Sequence, residues 1–246
     1  MTAVAFVQGS GASSTYGGFG SGSPGQVLPG DVTPGDAVVL FPVAAIANGD
    51  TVETVTSAIG EFLAVFEQQT HPSPFGFVWQ CTPASGSFDQ ATATTSAGGW
   101  DAAALEFGPN AVFGQASAGY ASFSDGTNYQ PGNSSTSASA TIENVTAGAA
   151  YVVVAYDRSG GAIQSVPGSP WTGLTNLLNV TGLGVAWLIA PNTDSIPVAF
   201  GAIEEDNWTL VLVEVLPVAG PPPYAGPYSL SVALSQAVAT VSLSAG

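Results

Sequence analysis

A chain of 246 residues with 46% hydrophobic side chains can bury a core, as one large all-β domain or two small ones, which excludes a disordered tail. Charged residues make up only 7%, there is no lysine, Arg158 is the only arginine, and the formal net charge is −16. Without cations to displace the counterions of phosphates, nucleic-acid binding and anionic membrane surfaces are excluded. No apolar run approaches the roughly 20 residues of a membrane-spanning helix, and Cys81, alone in the chain, cannot form an intrachain disulfide and reads as a small strand hydrophobe.

The chain opens without a cationic or long apolar leader, which predicts no secretory signal. Residues 1–30 form an N-terminal segment: a strand candidate over 3–7, then a Gly/Ser-rich run read as a flexible arm, with Tyr16 and Phe19 as aromatics able to dock on a neighbour. The first β half covers residues 31–109. Residues 36–43, a nearly continuous apolar run after the turn Thr33-Pro-Gly, read as a central strand; 61–67, with a helix as its alternative, 75–80, 88–95 and 100–107 follow as strands between Gly/Pro turns. Residues 110–135, rich in Gly, Ser, Asn and Tyr, read as a linker loop. The second half, 136–217, opens with a strand over 136–143 and a second Val-rich central strand over 150–156. Residues 218–246 begin with Gly220-Pro-Pro-Pro-Tyr, a stiff polyproline spacer, and end in an uncharged stretch, 229–244, read as one terminal strand. That strand either adds to a neighbouring subunit's sheet or folds back on its own. The missing lysines bear on the same question, because free sheet edges are commonly guarded by them. Here the edges are either covered in an assembly or kept apart by like charge.

The two halves repeat one pattern. Gly76, Trp79 and Pro83 fall on Gly184, Trp187 and Pro191 at a displacement of 108, and Trp100, Glu106 and Pro109 fall on Trp208, Glu214 and Pro217 at the same displacement. Upstream, Val32-Thr-Pro-Gly-Asp-Ala matches Val145-Thr-Ala-Gly-Ala-Ala at 113, so one loop of the second copy is five residues shorter. An internally duplicated β unit of about five strands is the reading that follows.

A Val-Thr-x-Gly-x-Ala turn into a Val-rich strand, a Gly-x-x-Trp strand and a closing Trp-x-x-x-x-x-Glu strand before proline, all present twice, resemble the duplicated jelly-roll β-sandwich of minor tail and other virion proteins of actinobacterial siphophages, those of mycobacteriophages especially. The resemblance covers roughly residues 32–218. It implies an all-β fold of two duplicated jelly-roll halves with an N-terminal arm and a C-terminal strand extension. It also implies a structural protein of the tail or its tip, assembled in the host cytoplasm beside other copies of itself and other virion proteins. It transfers no catalytic residue and no cofactor.

Several residues stand out for chemistry. Glu204, Glu205 and Asp206, with Asp194 nearby, form the densest acidic group, where Ca²⁺ could collect oxygen ligands, although the spacing lacks the Asp-x-Asp-x-Asp-Gly pattern. Glu106 and Glu214 could face each other as a glycosidase-like carboxylate pair; near the ends of apolar strands, however, both are expected to reach water. His71 has no Cys or second His near it in sequence, and Arg158 is expected to pair with an acid such as Asp157. Trp79, Trp100, Trp187 and Trp208 read as core. Trp171, on the turn Gly168-Ser-Pro-Trp, is the aromatic expected to be exposed and able to stack on a host-surface sugar. A carbohydrate-binding or adhesive module is therefore the alternative to a virion scaffold, and a glycoside hydrolase ranks behind both.

Overall fold

The computed structural model describes residues 3–13, 25–26, 28–44, 52–57, 59–60, 62–67, 77–81, 91–95, 100–109, 111–121, 135–157, 163–175, 178, 183–206, 208–217, 229–234 and 237–242. Within them the fold is all-β, with every strand pair antiparallel. The first half supplies β1 (Ala5–Ser13), β2 (Gly25–Gln26), β3 (Ala37–Ala44), β4 (Val52–Ser57), β5 (Leu63–Glu67), β6 (Phe77–Cys81), β7 (Ala91–Thr95) and β8 (Trp100–Gly108). The second supplies β9 (Ala111–Ala121), β10 (Ser135–Ile142), β11 (Ala150–Asp157), β12 (Ile163–Ser165), β13 (Thr172–Gly173), β14 (Leu183–Ile189), β15 (Ile196–Asp206) and β16 (Trp208–Pro217). Two more strands, β17 (Ser229–Leu234) and β18 (Ala237–Ser242), close the chain.

The strands form sheets in the orders β1-β8-β3-β6-β5 and β2-β7-β4 in the first half, and β9-β16-β11-β14-β13 and β10-β15-β12 in the second. Adding eight to each label converts the first pair of sheets into the second. The β17–β18 hairpin extends the second half's outer sheet beyond β10 and has no counterpart among the described residues of the first. Local geometry repeats as well. Gly35 and Gly148, 113 apart, both take positive φ (88° and 81°), which only glycine adopts freely. Asp36 N donates to Thr33 O as Ala149 N does to Thr146 O, both at 3.1 Å, and Val32 and Val145 are both buried. Trp79 and Trp187 lie on the matched strands β6 and β14, but Trp79 pairs with Leu40 and Trp187 with Val152, one residue out of step with the 113 displacement.

Side-chain alternation explains why the central strands read as unbroken apolar runs. Ala150, Val152 and Val154 of β11 enter a core shared with the first half, whereas Tyr151, Val153 and Ala155 enter a second core beneath β10 and β15. The inner sheet of the second half is thus buried on both faces. Across the shared core Phe6 stacks on Trp187, with centroids 4.2 Å apart, and meets Phe107 edge-on at 5.8 Å; Val4 N donates to Gly148 O at 2.9 Å. The two inner sheets therefore pack back to back.

Three boundaries differ from the expectations. Residues 110–135 are not only a linker, because β9 pairs along β16 as a full sheet member. The strand begun at Ala5 continues through Gly9–Ser13, which was expected to be arm, because Leu105 to Asp101 of β8 pair with it there. The C-terminal stretch is a hairpin instead of one strand, and in this chain it folds back: Leu230 to Ala233 pair with Ile142 to Ser139. Among the described residues each half has eight strands instead of about five, since short pieces such as β2, β12 and β13 are too brief for a periodic signal.

Candidate functional site

The two glutamates 108 residues apart are the most distinctive polar groups of the molecule, and neither reaches water: Glu106 is 0% and Glu214 1% exposed. This overturns the expectation of solvated carboxylates. The cause is topological. β8 lies between β1 and β3, and β16 between β9 and β11, so neither strand is an edge. Each glutamate also sits at a β-bulge, which falls between Phe6 and Gln8 opposite Glu106 and between Val213 and Val215 around Glu214. Bulges redirect side chains where a ladder must accommodate something other than regular packing.

In the first half, Glu106 Oε1 accepts from Thr33 N (2.7 Å) and Oε2 from Gln8 Nε2 (2.6 Å). Gln8 Nε2 also reaches Gly30 O (3.1 Å) and Asp31 O (3.2 Å), and its Oε1 accepts from Gly30 N (2.8 Å). One carboxylate and one carboxamide together clamp the backbone of residues 30–33, the approach to β3. In the second half, Glu214 Oε1 accepts from the Tyr151 hydroxyl (2.6 Å), whose oxygen accepts from Thr146 N (2.7 Å). Burial, and then the hydrogen bond to Glu214, push the Tyr151 phenol well above its usual range. Gly114 leaves the space this carboxylate occupies, since a Cβ there would lie 2.5 Å from Glu214 Oε2. A carboxylate removed from water needs donors to offset its desolvation, and short bonds to charged acceptors are the strong kind.

The matching is close. Thr33 and Thr146 are 113 apart, as are Val38 and Tyr151, the cross-strand partners of Glu106 and Glu214. Tyr151 thus relays a contact that Glu106 makes directly. A third buried acid, Asp36 at 3% exposure, was not singled out from the sequence; Gly108 beside it leaves room where a Cβ would overlap its carboxyl group. Ala149 and Leu216 stand at the corresponding positions, both in the second core.

Glu106 and Glu214 do not form a facing pair. Val213 and Val215 point into the shared core, so Glu214, between them, points to the other face of its sheet, where it meets Tyr151 of the second core. Phe107 joins the shared core with Phe6, so Glu106 points away from it. The two carboxylates leave opposite faces of two stacked sheets, and the expected acid–base geometry is absent.

Trp171 is also corrected: it is buried (8% exposed), and its Nε1 donates to Pro197 O at 2.8 Å, so it is not offered to a sugar. The turn residues before it signal a loop, but the tertiary fold lays the indole against the second core. Trp187 is buried as expected. Of the acidic group, Asp194 is exposed, with Oδ2 accepting from Asn192 Nδ2 at 2.7 Å. Glu204, Glu205 and Asp206 end β15, as expected of the turn toward Trp208, but their side chains lie outside the described residues. Among the described residues no group of three or more His, Cys, Asp or Glu converges. Tyr16, Phe19, His71 and Arg158 lie outside the described residues, as do the side chains of Trp79, Trp100, Trp208 and Cys81.

Gln8 was the functional partner that sequence reasoning missed. A signal for it exists: Phe6-x-Gln8-x-Ser10 recurs as Phe113-x-Gln115-x-Ser117 at a displacement of 107, extending the repeat into β1 and β9. No family model, curated protein or solved structure matches this chain.

Proposed function

We propose that this chain is a structural component of a phage virion, most specifically a minor tail protein of the tail tip or baseplate. On this reading it is made of two duplicated jelly-roll halves and works by assembling with copies of itself and with other tail proteins. The observation that carries the reading is the repeated strand order. Strands one, eight, three, six and five of each half lie together in one sheet and two, seven and four in the other; this supports a rolled double Greek key, from which the fifth strand departs by joining the first sheet. The clamps support a frame more than a reaction, because each buried carboxylate is engaged by the turn or tyrosine it holds. On this reading the chain works without a catalytic residue or a resident cofactor, and host-surface contact falls to its loops.

The test is direct: mass spectrometry of purified particles, with antibody labelling under the electron microscope. The chain is expected at the tail end of the particle in fixed copy number. A particle lacking it, or one from which salt washing removes it entirely, would sink the proposal. A glycan array on the isolated protein separates the scaffold from the carbohydrate-binding module, since the scaffold is expected to give no signal.

A further inference from the structure

We infer that β1 is a coupling strand: with Ala3 and Val4 before it, it ties the turn that launches β3 in the first half to the turn that launches β11 in the second, so that loosening the second turn loosens the first. This goes beyond the assembly reading and does not depend on it.

Toward the second half the segment grips the turn itself. Val4 N donates to Gly148 O at 2.9 Å, and Gly148 N donates to Ala190 O at 2.8 Å. Ala3 lies against the same residue: a Cβ at Gly148 would stand 3.4 Å from the Ala3 Cα and Cβ, and Gly148 holds φ at 81°. Val4 is buried in the shared core, and Phe6 stacks on Trp187 at 4.2 Å. In this turn the N–H of Thr146 is the one held by the Tyr151 hydroxyl, which Glu214 engages in turn.

Toward the first half the grip passes through Gln8. Its Oε1 accepts from Gly30 N, and its Nε2 donates to Gly30 O, Asp31 O and Glu106 Oε2, while Glu106 Oε1 takes the Thr33 N–H. Residues two apart on a regular strand point to one face, yet Phe6 and Gln8 serve opposite faces of their sheet. The bulge is the reason. Phe6 and Gln8 pair with the consecutive residues Phe107 and Glu106, and the extra residue, Val7, is left exposed. From Val4 to Gln8, one strand therefore holds both of the matched turns, through bonded or packed groups at every step. Close-packed interiors pass displacement along such a chain of contacts.

The Gly30 and Thr33 amides report the first turn, because each donates to a side chain of the clamp. Their hydrogen exchange is followed by NMR in the full chain carrying Trp187→Ala or Gly148→Ala, both in the second half. The control is Trp171→Phe, which removes the indole's bond to Pro197 O in the second core. Either test variant is expected to speed exchange at both amides about tenfold while the amides of β3 stay protected and the control leaves all of them unchanged. Unchanged exchange at Gly30 and Thr33 would overturn the inference. Equal acceleration in the control would do the same, as would loss of β3 protection in step with the turn, because each marks general destabilisation instead of a path through β1. Gly148→Ala, the milder change, decides the matter should Trp187→Ala not fold.

Discussion

The two halves solve one problem with different chemistry. In both, a buried glutamate on the eighth strand holds the turn that launches the central strand. In the first half the carboxylate takes the Thr33 N–H itself and recruits Gln8 for a second bond. In the second, the phenol of Tyr151 stands between Glu214 and the Thr146 N–H. The cross-strand position that carries Tyr151 carries Val38 in the first half, where no hydroxyl is available to relay the bond. A second trade accompanies it. Asp36 fits beside Gly108, whereas Ala149 and Leu216 stand at the matched places, so a large group on one strand answers a small one on the other. What persists between the halves is the link from the strand to the turn, made through different atoms in each.

Four measurements press on this comparison. The largest effect is expected from Glu106→Ala, which orphans the Thr33 N–H, takes the closest acceptor from Gln8 Nε2 and opens a cavity. A loss of about 3–5 kcal/mol in denaturant unfolding is expected, and a loss under about 1 kcal/mol would show that the direct clamp holds nothing. Gly114→Ala should cost about 1–3 kcal/mol, because its methyl must displace a buried carboxylate; neutrality would mean that Glu214 moves freely.

Tyr151→Phe should cost a similar or slightly smaller amount, about 1–2 kcal/mol, through the lost relay. It also predicts a pH signature. The folded phenol is held above its ordinary value, so the unfolded chain releases this proton first. Tyr151's contribution to stability is then full below about pH 10 and is lost as pH rises from there through the folded value. Wild type should lose more stability than Tyr151→Phe as pH is raised above about 10, and parallel curves would remove the relay from the account. The smallest effect is expected from Asp194→Ala, whose exposed bond to Asn192 should change unfolding by no more than about 0.5 kcal/mol. A larger loss, or stabilisation of wild type alone by added Ca²⁺, would restore this loop as a cation site.

Much of the frame was legible in the residues. The Val-rich runs marked β3 and β11 as central because a strand buried on both faces has no polar alternation to show. The 108-residue register of Trp79 with Trp187 and of Glu106 with Glu214 placed them on matched strands. The role of those glutamates was not legible. A glutamate near the end of an apolar strand looks solvated unless the neighbouring strand is known, and β9, which covers β16, is written in glycine, serine and alanine and reads as loop. Trp171 misled for the same reason: turn residues describe the local backbone, while burial of its ring depends on Pro197, 26 residues away.

By itself the sequence determined the all-β class, the repeated pattern, the central strands and the poverty of cations, since periodicity, turn chemistry and charge are local or additive properties. Only the tertiary structure decided that the inner sheets stack, that Glu106 and Glu214 point to opposite sides, and that the C-terminal hairpin sits on β10. Those depend on which strands become neighbours, and strand pairing joins residues far apart in the chain through backbone groups that are alike in nearly every residue.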